Sequence, residues 1–267
     1  MNPITPLLPG DLPQLSQLQP PDWDNITPHF QGYLQTPFCH PFKIVIGPQL
    51  VAIGTAIFHK ETVWLAHIIT HPEYRNQGLG QKITQGLVNF AFSNHFATIL
   101  LIATKMGEPV YQKIGFKTTD TYAFYQRAPS PPLEFSHPNL FAFEAKYTPA
   151  VLQLDQTISG EDRSMHLRMY FQGARVFIKQ KQVQGFYLPM LGDGLIVADQ
   201  KEAGLALMHY RLNSRHHAVL PVINQAGNDF LLKQNFVHCR TAKRMYLGKP
   251  ISWKPEKLYN RVSGRIG

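Results

Sequence analysis

Hydrophobic and polar residues form several short runs along the first half of the chain, and these runs predict β-strands. Runs rich in β-branched and aromatic residues lie at 42–46, 49–59 and 62–70, with a composition that strands favour. The third run ends at His71-Pro72, where the residue before proline is pushed away from helical geometry. A helix around residues 12–18 is predicted to precede the strands.

The period of the apolar residues then becomes helical. Four of them recur at intervals of three or four: Leu79, Ile83, Leu87 and Phe90. They predict an amphipathic helix that ends near Asn94. Beyond it the pattern predicts a buried strand at 98–103, a helix that begins near Glu108-Pro109 and ends at Gly115, and a last strand at 116–125.

The chain resembles itself after a shift of 120 residues. Residues 98–104 then fall on 218–224, and residues 111–116 fall on 231–236. Two strand-then-helix segments that agree without a gap indicate a duplicated fold. A chance similarity between apolar strands is the alternative explanation.

Prolines and short polar residues mark a connector near the middle of the chain. They cluster at 128–132 and recur at 137–139, a composition that favours an extended segment. A length of 267 residues is sufficient for two domains that each bury a core. We therefore predict two domains, 1–135 and 136–267, of the α+β class, each with a mixed, mostly antiparallel sheet flanked by helices.

Composition excludes several classes of protein. Hydrophobic residues make up 44% of the chain, yet no run approaches the ~20 apolar residues of a membrane helix. The N-terminus does not read as a secretory signal, so we expect a cytoplasmic protein. Cys39 and Cys239 lie far apart and the histidines are scattered, so neither a metal site nor a disulfide is predicted.

The formal net charge of +9 lies entirely in the second half of the chain. Lys and Arg number 8 against 8 Asp and Glu in residues 1–135, and 18 against 9 in residues 136–267. Such asymmetry is typical of a protein that attracts an anion, such as a phosphorylated cofactor, an acidic substrate or a nucleic acid. An ordinary solvated surface explains the charge equally well.

A basic cluster at Arg240 and Lys243-Arg244 raises the hypothesis of nucleic-acid binding. No helix-turn-helix, RNA-binding sheet motif or zinc finger accompanies the cluster, and basic clusters more often decorate a surface or attract a phosphorylated cofactor. The sequence therefore argues against a nucleic-acid partner.

A glycine loop joins the strand that ends at Thr70 to the helix that begins at Leu79. A loop that closes around a pyrophosphate needs backbone N–H groups aimed at the anion, and glycines permit both the dihedral angles and the close approach. The residues predicted to contact the pyrophosphate are Arg75, Asn76, Gln77, Gly78, Leu79, Gly80 and Gln81. A glycine pair of this kind is by itself also typical of a tight turn. The shift of 120 residues places Ala198 and Gln200 on the two glycines, so the second half lacks the loop.

The residues around this loop resemble a known family. The run from Ile68 to Gly80 is similar to the acetyl-coenzyme A binding segment of the GCN5-related N-acetyltransferases (GNAT), which have Arg/Gln-x-x-Gly-x-Gly/Ala after a strand. Residues 111–116 resemble the tyrosine-containing helix end of the same family, at the right distance. With two motifs in order, the resemblance covers roughly residues 1–127.

The second half resembles the C-terminal domain of a subset of tandem acetyltransferase-like proteins. The similar segments are 154–155, 160–164, 185–186, 235–236, 244–246 and 264–267. This resemblance implies two tandem GNAT-like domains, of which only the first has the glycine loop and an activity.

The resemblance implies a reaction in which an amine attacks the thioester of acetyl-coenzyme A directly. The backbone N–H groups of Ile68, Ile69 and Thr70 would bind the pantetheine arm and polarise the acetyl carbonyl. Tyr111 matches the phenol that protonates the departing thiolate, although a role in core packing is the alternative. Thr104 stands where relatives often carry a cofactor-binding asparagine.

The proton acceptor for the amine is less evident. His67 lies on the strand that leads into the site and is the candidate base, with His71 and Glu73 beside the loop. A histidine on a strand is more often structural, and a water chain is another route for the proton.

The sequence thus predicts an N-acetyltransferase for a small-molecule amine, with acetyl-coenzyme A as cosubstrate. We expect the acceptor to carry a carboxylate or phosphate beside its amine, since the basic half would repel a polycation. The alternative is a non-catalytic module that binds or senses acyl-coenzyme A. Such folds commonly dimerise, so a homodimer is a further possibility.

Overall fold

The computed structural model describes residues 2–21, 23–129 and 135–266, which form two compact units. Unit 1 consists of Met1–Lys117, Met245–Lys249 and Gly264–Ile266, and unit 2 consists of Thr118–Arg244 and Pro250–Ser263. Residues 130–132 of the predicted connector lie outside the described part of the chain. Neither unit is continuous in sequence, so the predicted domains, 1–135 and 136–267, stay a prediction that truncation can test.

Unit 1 is built from strands and three α-helices in its described part. The complete strands are β1 (Ile4–Pro6), β2 (Cys39–Ile46), β3 (Gln49–Phe58), β4 (Thr62–Thr70) and β5 (Thr98–Ala103). The helices are α1 (Thr27–Gln35), α2 (Leu79–Ser93) and α3 (Glu108–Ile114), with short 3-10 helices at Pro9–Leu18 and Pro72–Tyr74.

Unit 2 contains the remaining elements. The strands are β6 (Lys117–Gln126), β7 (Leu140–Ala142), β8 (Arg175–Lys179), β9 (Gln182–Leu188), β10 (Leu195–Ala198), β11 (His217–Pro221), β12 (Val237–Gly248) and β13 (Leu258–Asn260). The helices are α4 (Thr148–Ser159), α5 (Ser164–Leu167), α6 (Lys201–Leu212) and α7 (Gln225–Lys233). The last residues of β12, Met245–Gly248, are the part of that strand that belongs to unit 1.

The sheet of unit 1 has the order β1-β2-β3-β4-β5, followed by the end of β12. The registers from β1 to β4 are antiparallel, whereas β4 and β5 run parallel. A parallel neighbour requires a crossover, and α2 supplies it. In unit 2, β11 pairs antiparallel with β6, and a second sheet has the order β13-β10-β9-β8-β7. The predicted α+β class with mostly antiparallel sheets is confirmed.

Helix α2 packs its apolar stripe on β3. Leu79, Ile83 and Leu87 of the predicted stripe are buried, and Phe90 is partly buried. Each buried side chain of this size contributes about 1.5–3 kcal/mol. Gly54 of β3 allows the close approach, because a Cβ atom there would lie 2.7 Å from Leu87 Cδ1.

Most predicted boundaries agree with the structure, but the first helix was misjudged. The bounds of β4 and β5 match the prediction, and α2 and α3 begin where predicted. The helix predicted at residues 12–18 is instead a 3-10 helix over Pro9–Leu18, with Pro13 inside it. Helix α1 was not predicted, although its start at Thr27-Pro28 is a usual N-terminal signal.

Two features of the structure agree with the predicted internal repeat. The hydroxyl oxygen of Thr104 accepts a hydrogen bond from Gly107 N at 3.2 Å, and the amide oxygen of Asn224, 120 residues later, accepts one from Gly227 N at 2.9 Å. Strands β6 and β12 begin 120 residues apart, at 117 and 237. Equal turns at equal spacing are what a duplicated fold produces.

Two ion pairs are buried within unit 2. Arg163 donates to both carboxylate oxygens of Asp155 at 2.9 Å, and Arg244 lies 3.5 Å from a carboxylate oxygen of Glu161. All four side chains are at most 4% exposed. Part of the basic charge in the second half of the chain is therefore internal rather than on the surface.

Candidate active site

A β-bulge interrupts β4 at the position where the sequence predicts the reactive end of the site. Ile53 of β3 lies opposite Ile69, whereas Thr55 lies opposite Ala66. One residue of β3, Gly54, therefore faces two residues of β4, His67 and Ile68. His67 has a φ of +46°, which is rare for a residue with a side chain, and such backbone strain often accompanies functional sites.

From Ala66 onward, β4 has no described pairing with its parallel neighbour β5. The described pairing of β4 with β5 begins at Thr62↔Thr98 and ends at Leu65↔Leu101. From Ala66 to Thr70, β4 continues along β3 while its other edge has no described register with β5. The predicted cofactor-binding residues Ile68, Ile69 and Thr70 lie on this open stretch.

The glycine loop follows directly and leads into α2. Residues 75–78 are exposed, and Asn76 and Gly78 have φ values of +62° and +78°. Gly78 is the N-cap of α2, and its carbonyl accepts a hydrogen bond from Lys82 N at 2.9 Å. The first amides of a helix lack partners inside it, which makes this end a favourable place for an anion. The predicted ligand Gln81 lies exposed in the same first turn.

Leu79 and Gly80 hold the loop against the sheet. Leu79 is buried in a cluster with Ile44 and Ile83. The carbonyl of Gly80 accepts a hydrogen bond from the Thr84 hydroxyl at 2.7 Å. A Cβ atom on Gly80 would lie 3.5 Å from Thr70 Oγ1. The loop and the end of β4, both predicted to bind the cofactor, are thus adjacent in the fold.

The residues just before the loop have structural partners. His71 N donates to Val51 O at 2.9 Å, and the His71 ring accepts a hydrogen bond from Glu73 N at 3.3 Å. The other ring nitrogen lies 3.2 Å from the amide of Gln49, which also accepts a hydrogen bond from Tyr74. These contacts attach the segment to β3.

Tyr111 is buried in the middle of α3, and its ring packs over Gly107. A Cβ atom on Gly107 would lie 2.8 Å from the ring and 3.2 Å from the phenol oxygen. Tyr111 belongs to the same apolar cluster as Ile68, so the predicted acid and the open strand lie in one region of unit 1. Among the described residues its hydroxyl has no hydrogen-bond partner, and burial raises its pKa. The phenol therefore stays protonated at ordinary pH.

Thr104 occupies the turn before α3. Its hydroxyl oxygen accepts a hydrogen bond from Gly107 N, and its carbonyl accepts one from Glu108 N at 2.9 Å. The side chain thus shapes the turn that presents Tyr111. Its role as a cofactor ligand stays a prediction.

His67, the predicted base, lies in an aromatic cluster on the other side of the bulge. Its ring stacks on His29 with 5.2 Å between centroids, and Trp23 and Phe30 lie 5.9 and 5.6 Å away. Its Nδ1 atom lies 2.8 Å from the hydroxyl of Tyr33. Burial, followed by the charges of Arg265 and His29, lowers its pKa to about 3. His67 is therefore neutral, and it is a weak proton acceptor.

We expect this low pKa to make the protein less stable in mild acid. Between about pH 6.5 and about pH 3 the unfolded state protonates this histidine and the folded state does not, so the free energy of unfolding falls as pH falls. For one such group the slope is up to about 1.4 kcal/mol per pH unit. His67→Gln should remove this contribution, which urea unfolding at about pH 6 and about pH 4.5 would measure against the wild type. Equal slopes in the two proteins would contradict the prediction.

Sequence reasoning missed the partners of His67. Trp23, His29 and Tyr33 lie before the predicted strands, and Arg265 lies at the end of the chain. No motif or spacing connects them to His67. The tertiary structure brings them together, with His29 and Tyr33 placed by α1.

The basic cluster predicted from the sequence is largely engaged within unit 2. Arg244 is buried beside Glu161, Lys243 donates to the Thr121 hydroxyl at 3.0 Å, and the Arg240 guanidinium lies 3.7 Å from the Phe124 ring centroid. In the described part of the chain, no group of three or more His, Cys, Asp or Glu residues could hold a metal ion. None of the helices there is both long and apolar enough to span a membrane.

Comparison with solved structures shows the fold. A putative acetyltransferase from Pyrococcus horikoshii superimposes with a TM-score of 0.82 at 19% identity, covering 99% of this chain and 95% of that one. A GCN5-related N-acetyltransferase from Sphaerobacter thermophilus gives 0.66 at 14% identity, covering 94% and 96%. A tandem GNAT protein from the clavulanic acid biosynthesis pathway gives 0.61 at 12% identity, covering 94% and 100%.

Comparison with sequence families also finds a similarity to acetyltransferases, in the first part of the chain. No curated protein matches the chain. Residues 42–127, which contain the bulge, the open strand, the glycine loop and Tyr111, match the family described as acetyltransferase (GNAT) domain. Residues 42–127 are therefore similar to a GNAT acetyltransferase domain, and the chain as a whole has the fold of these solved structures.

Proposed function

We propose that the chain is an N-acetyltransferase that transfers the acetyl group of acetyl-coenzyme A to a small-molecule amine. The observation that carries the proposal is the continuity of the open edge of β4, residues 66–70, with the exposed loop at 75–78 and the start of α2. An extended thioester arm that ends in a pyrophosphate matches this succession of an open strand edge and an anion-binding helix end.

The loop would hold the pyrophosphate through backbone amides. Gly78, Gly80 and Gln81 would present their N–H groups, and Arg75 would add a positive charge. Gly78 has a positive φ, and a Cβ atom there would meet no protein atom within 4 Å. The space above the loop is therefore open to a ligand.

The open strand would hold the arm and activate the thioester. N–H groups of residues 68–70 would bind the pantetheine amides, and an amide near the bulge would stabilise the oxyanion that forms on the acetyl carbonyl. One such donor contributes about 3 kcal/mol to the rate.

Tyr111 would complete the transfer as an acid. The nitrogen of the neutral amine attacks the carbonyl carbon, the C–S bond breaks, and the thiolate takes the phenol proton of Tyr111. The tyrosinate recovers its proton from solvent, and the amine loses one to solvent. The products are an N-acetyl amide and coenzyme A. We assign no base to His67, because a ring with a pKa of about 3 does not hold the amine's proton.

Calorimetry with acetyl-coenzyme A, followed by a thiol-release screen of amines, tests this function. Tyr111→Phe should lower kcat by about 100-fold or more and leave the Kd for acetyl-coenzyme A unchanged, since the ring still packs on Gly107. Tyr147→Phe, in unit 2, is the matched control and should behave as the wild type.

Two results would contradict the proposal. If the wild type fails to bind acetyl-coenzyme A, the cofactor assignment is wrong. If it binds but releases no thiol with any amine, the chain is a non-catalytic acyl-coenzyme A binding module. A Tyr111→Phe variant with wild-type kcat would remove the acid role alone.

A further inference from the structure

The cluster around His67 contains a chain of hydrogen bonds that begins at Arg265. Arg265 makes a side-chain hydrogen bond to the Tyr33 oxygen, and the Tyr33 hydroxyl lies 2.8 Å from His67 Nδ1. All three residues belong to unit 1. Tyr33 is 5% exposed, so an unpaired hydroxyl proton there would be costly.

The 2.8 Å contact and the neighbouring Arg265 together favour one position for the proton of His67. Arginine is only a donor, so the Tyr33 oxygen accepts from Arg265. The single proton of the Tyr33 hydroxyl then has His67 Nδ1 as its partner, because no other acceptor for it is found among the described residues. Nδ1 is therefore an acceptor, and the proton of the neutral ring lies on Nε2.

The Nε2–H group has no hydrogen-bond partner among the described residues. It is also not one of the fully buried polar atoms that lack a partner, so Nε2 is not sealed off from a ligand. His67 immediately precedes residues 68–70. If the pyrophosphate lies at the loop and the arm runs back along β4, the thioester lies at the bulge end of the strand. His67 is then beside the position from which the amine attacks.

We propose that Tyr33 and Arg265 are positioning residues that hold His67 as an Nε2–H hydrogen-bond donor to the acceptor substrate, which is an amine bearing a carbonyl or carboxylate oxygen. The inference rests on the proposed function. It replaces the predicted role of His67 as a base with that of a donor.

The surroundings of His67 support this class of acceptor. The rings of His29 and Trp23 lie beside the imidazole, and Trp23 is 36% exposed. Arg265 places a positive charge close enough to act on Tyr33, His29 and His67. A donor nitrogen, a cation and aromatic rings favour a planar or aromatic amine with an oxygen acceptor over a polyamine.

The first test reads the proton position without any substrate. Nitrogen-labelled histidine in the full chain, with His67→Gln used to assign the signal, should show the His67 proton on Nε2 by nuclear magnetic resonance. Tyr33→Phe removes the donor to Nδ1 and should give a mixture of tautomers. Arg265→Gln should do so in part, and the exposed Arg168→Gln should have no effect. A wild-type His67 protonated on Nδ1 overturns the proposal.

The second test measures which class of amine the protein acetylates fastest. Thiol release should be faster with phenylalanine than with 2-phenylethylamine, which lacks the carboxylate, and slowest with spermidine. Tyr33→Phe and Arg265→Gln should each raise the KM for the preferred amine by roughly tenfold and leave the Kd for acetyl-coenzyme A unchanged. A preference for spermidine, or an unchanged KM in both variants, overturns the proposal. Failure of the wild type to bind acetyl-coenzyme A would instead contradict the proposed function, and the tautomer measurement would still decide the hydrogen-bond chain.

Discussion

Gly78→Glu is expected to weaken acetyl-coenzyme A binding by at least about 100-fold while the protein stays folded. The new side chain would project from the loop into the space assigned to the pyrophosphate. Two like charges about 4 Å apart near a protein surface repel by about 4 kcal/mol, which is sufficient for a loss of this size. Titration calorimetry with acetyl-coenzyme A and with coenzyme A measures the effect.

Gly47→Glu is the matched control for this variant. Gly47 has a φ of +58° and is exposed, and a Cβ atom there would meet no atom within 4 Å beyond its chain neighbours, as at Gly78. The two variants therefore share the strain of a side chain at positive φ, about 1–2 kcal/mol, and the same change in charge. Equal binding by the two variants would show that the loop does not hold the phosphates.

A chain truncated after residue 135 is expected to lose its cooperative unfolding transition. Unit 1 includes Met245–Lys249 from the end of β12, where Lys249 N donates to Ala97 O at 2.8 Å and Lys249 O accepts from the Thr98 hydroxyl at 2.7 Å. Without these residues β5 would become an unpaired edge strand, and the core beneath it would open. Thermal unfolding by circular dichroism compares the fragment with the full chain.

A point substitution separates the loss of this strand from the loss of the whole second half. Met245 is fully buried in the same cluster as Tyr111 and Phe116. Met245→Ala in the full chain should lower the free energy of unfolding by about 2–5 kcal/mol, whereas Met106→Ala, at a position 73% exposed, should leave it unchanged. If residues 1–135 fold cooperatively and bind acetyl-coenzyme A, the predicted contiguous domain is right and the packing argument is wrong.

The candidate site has two parts, the glycine loop with Tyr111 and the cluster around His67. They differ in how far the sequence could predict them. The loop and Tyr111 lie within segments whose residue types and spacing are set by local geometry, since glycines at positive φ and a strand-to-helix turn leave a pattern. The His67 cluster leaves no such pattern. His67 could be predicted only from its position on β4. Its predicted role as a base is not retained, because burial and the charge of Arg265 lower its pKa.

The strands and helices with strong periodicity, the glycine loop and the repeat at 120 residues could all be predicted from the amino-acid sequence. Each of these depends on neighbours along the chain, because side-chain period, turn dihedrals and helix ends are local properties. Tertiary structure alone decided the bulge at His67, the return of residues 245–249 to unit 1 and the chain from Arg265 through Tyr33 to His67. These contacts join residues that are distant in sequence, so only the packing of the folded chain specifies them.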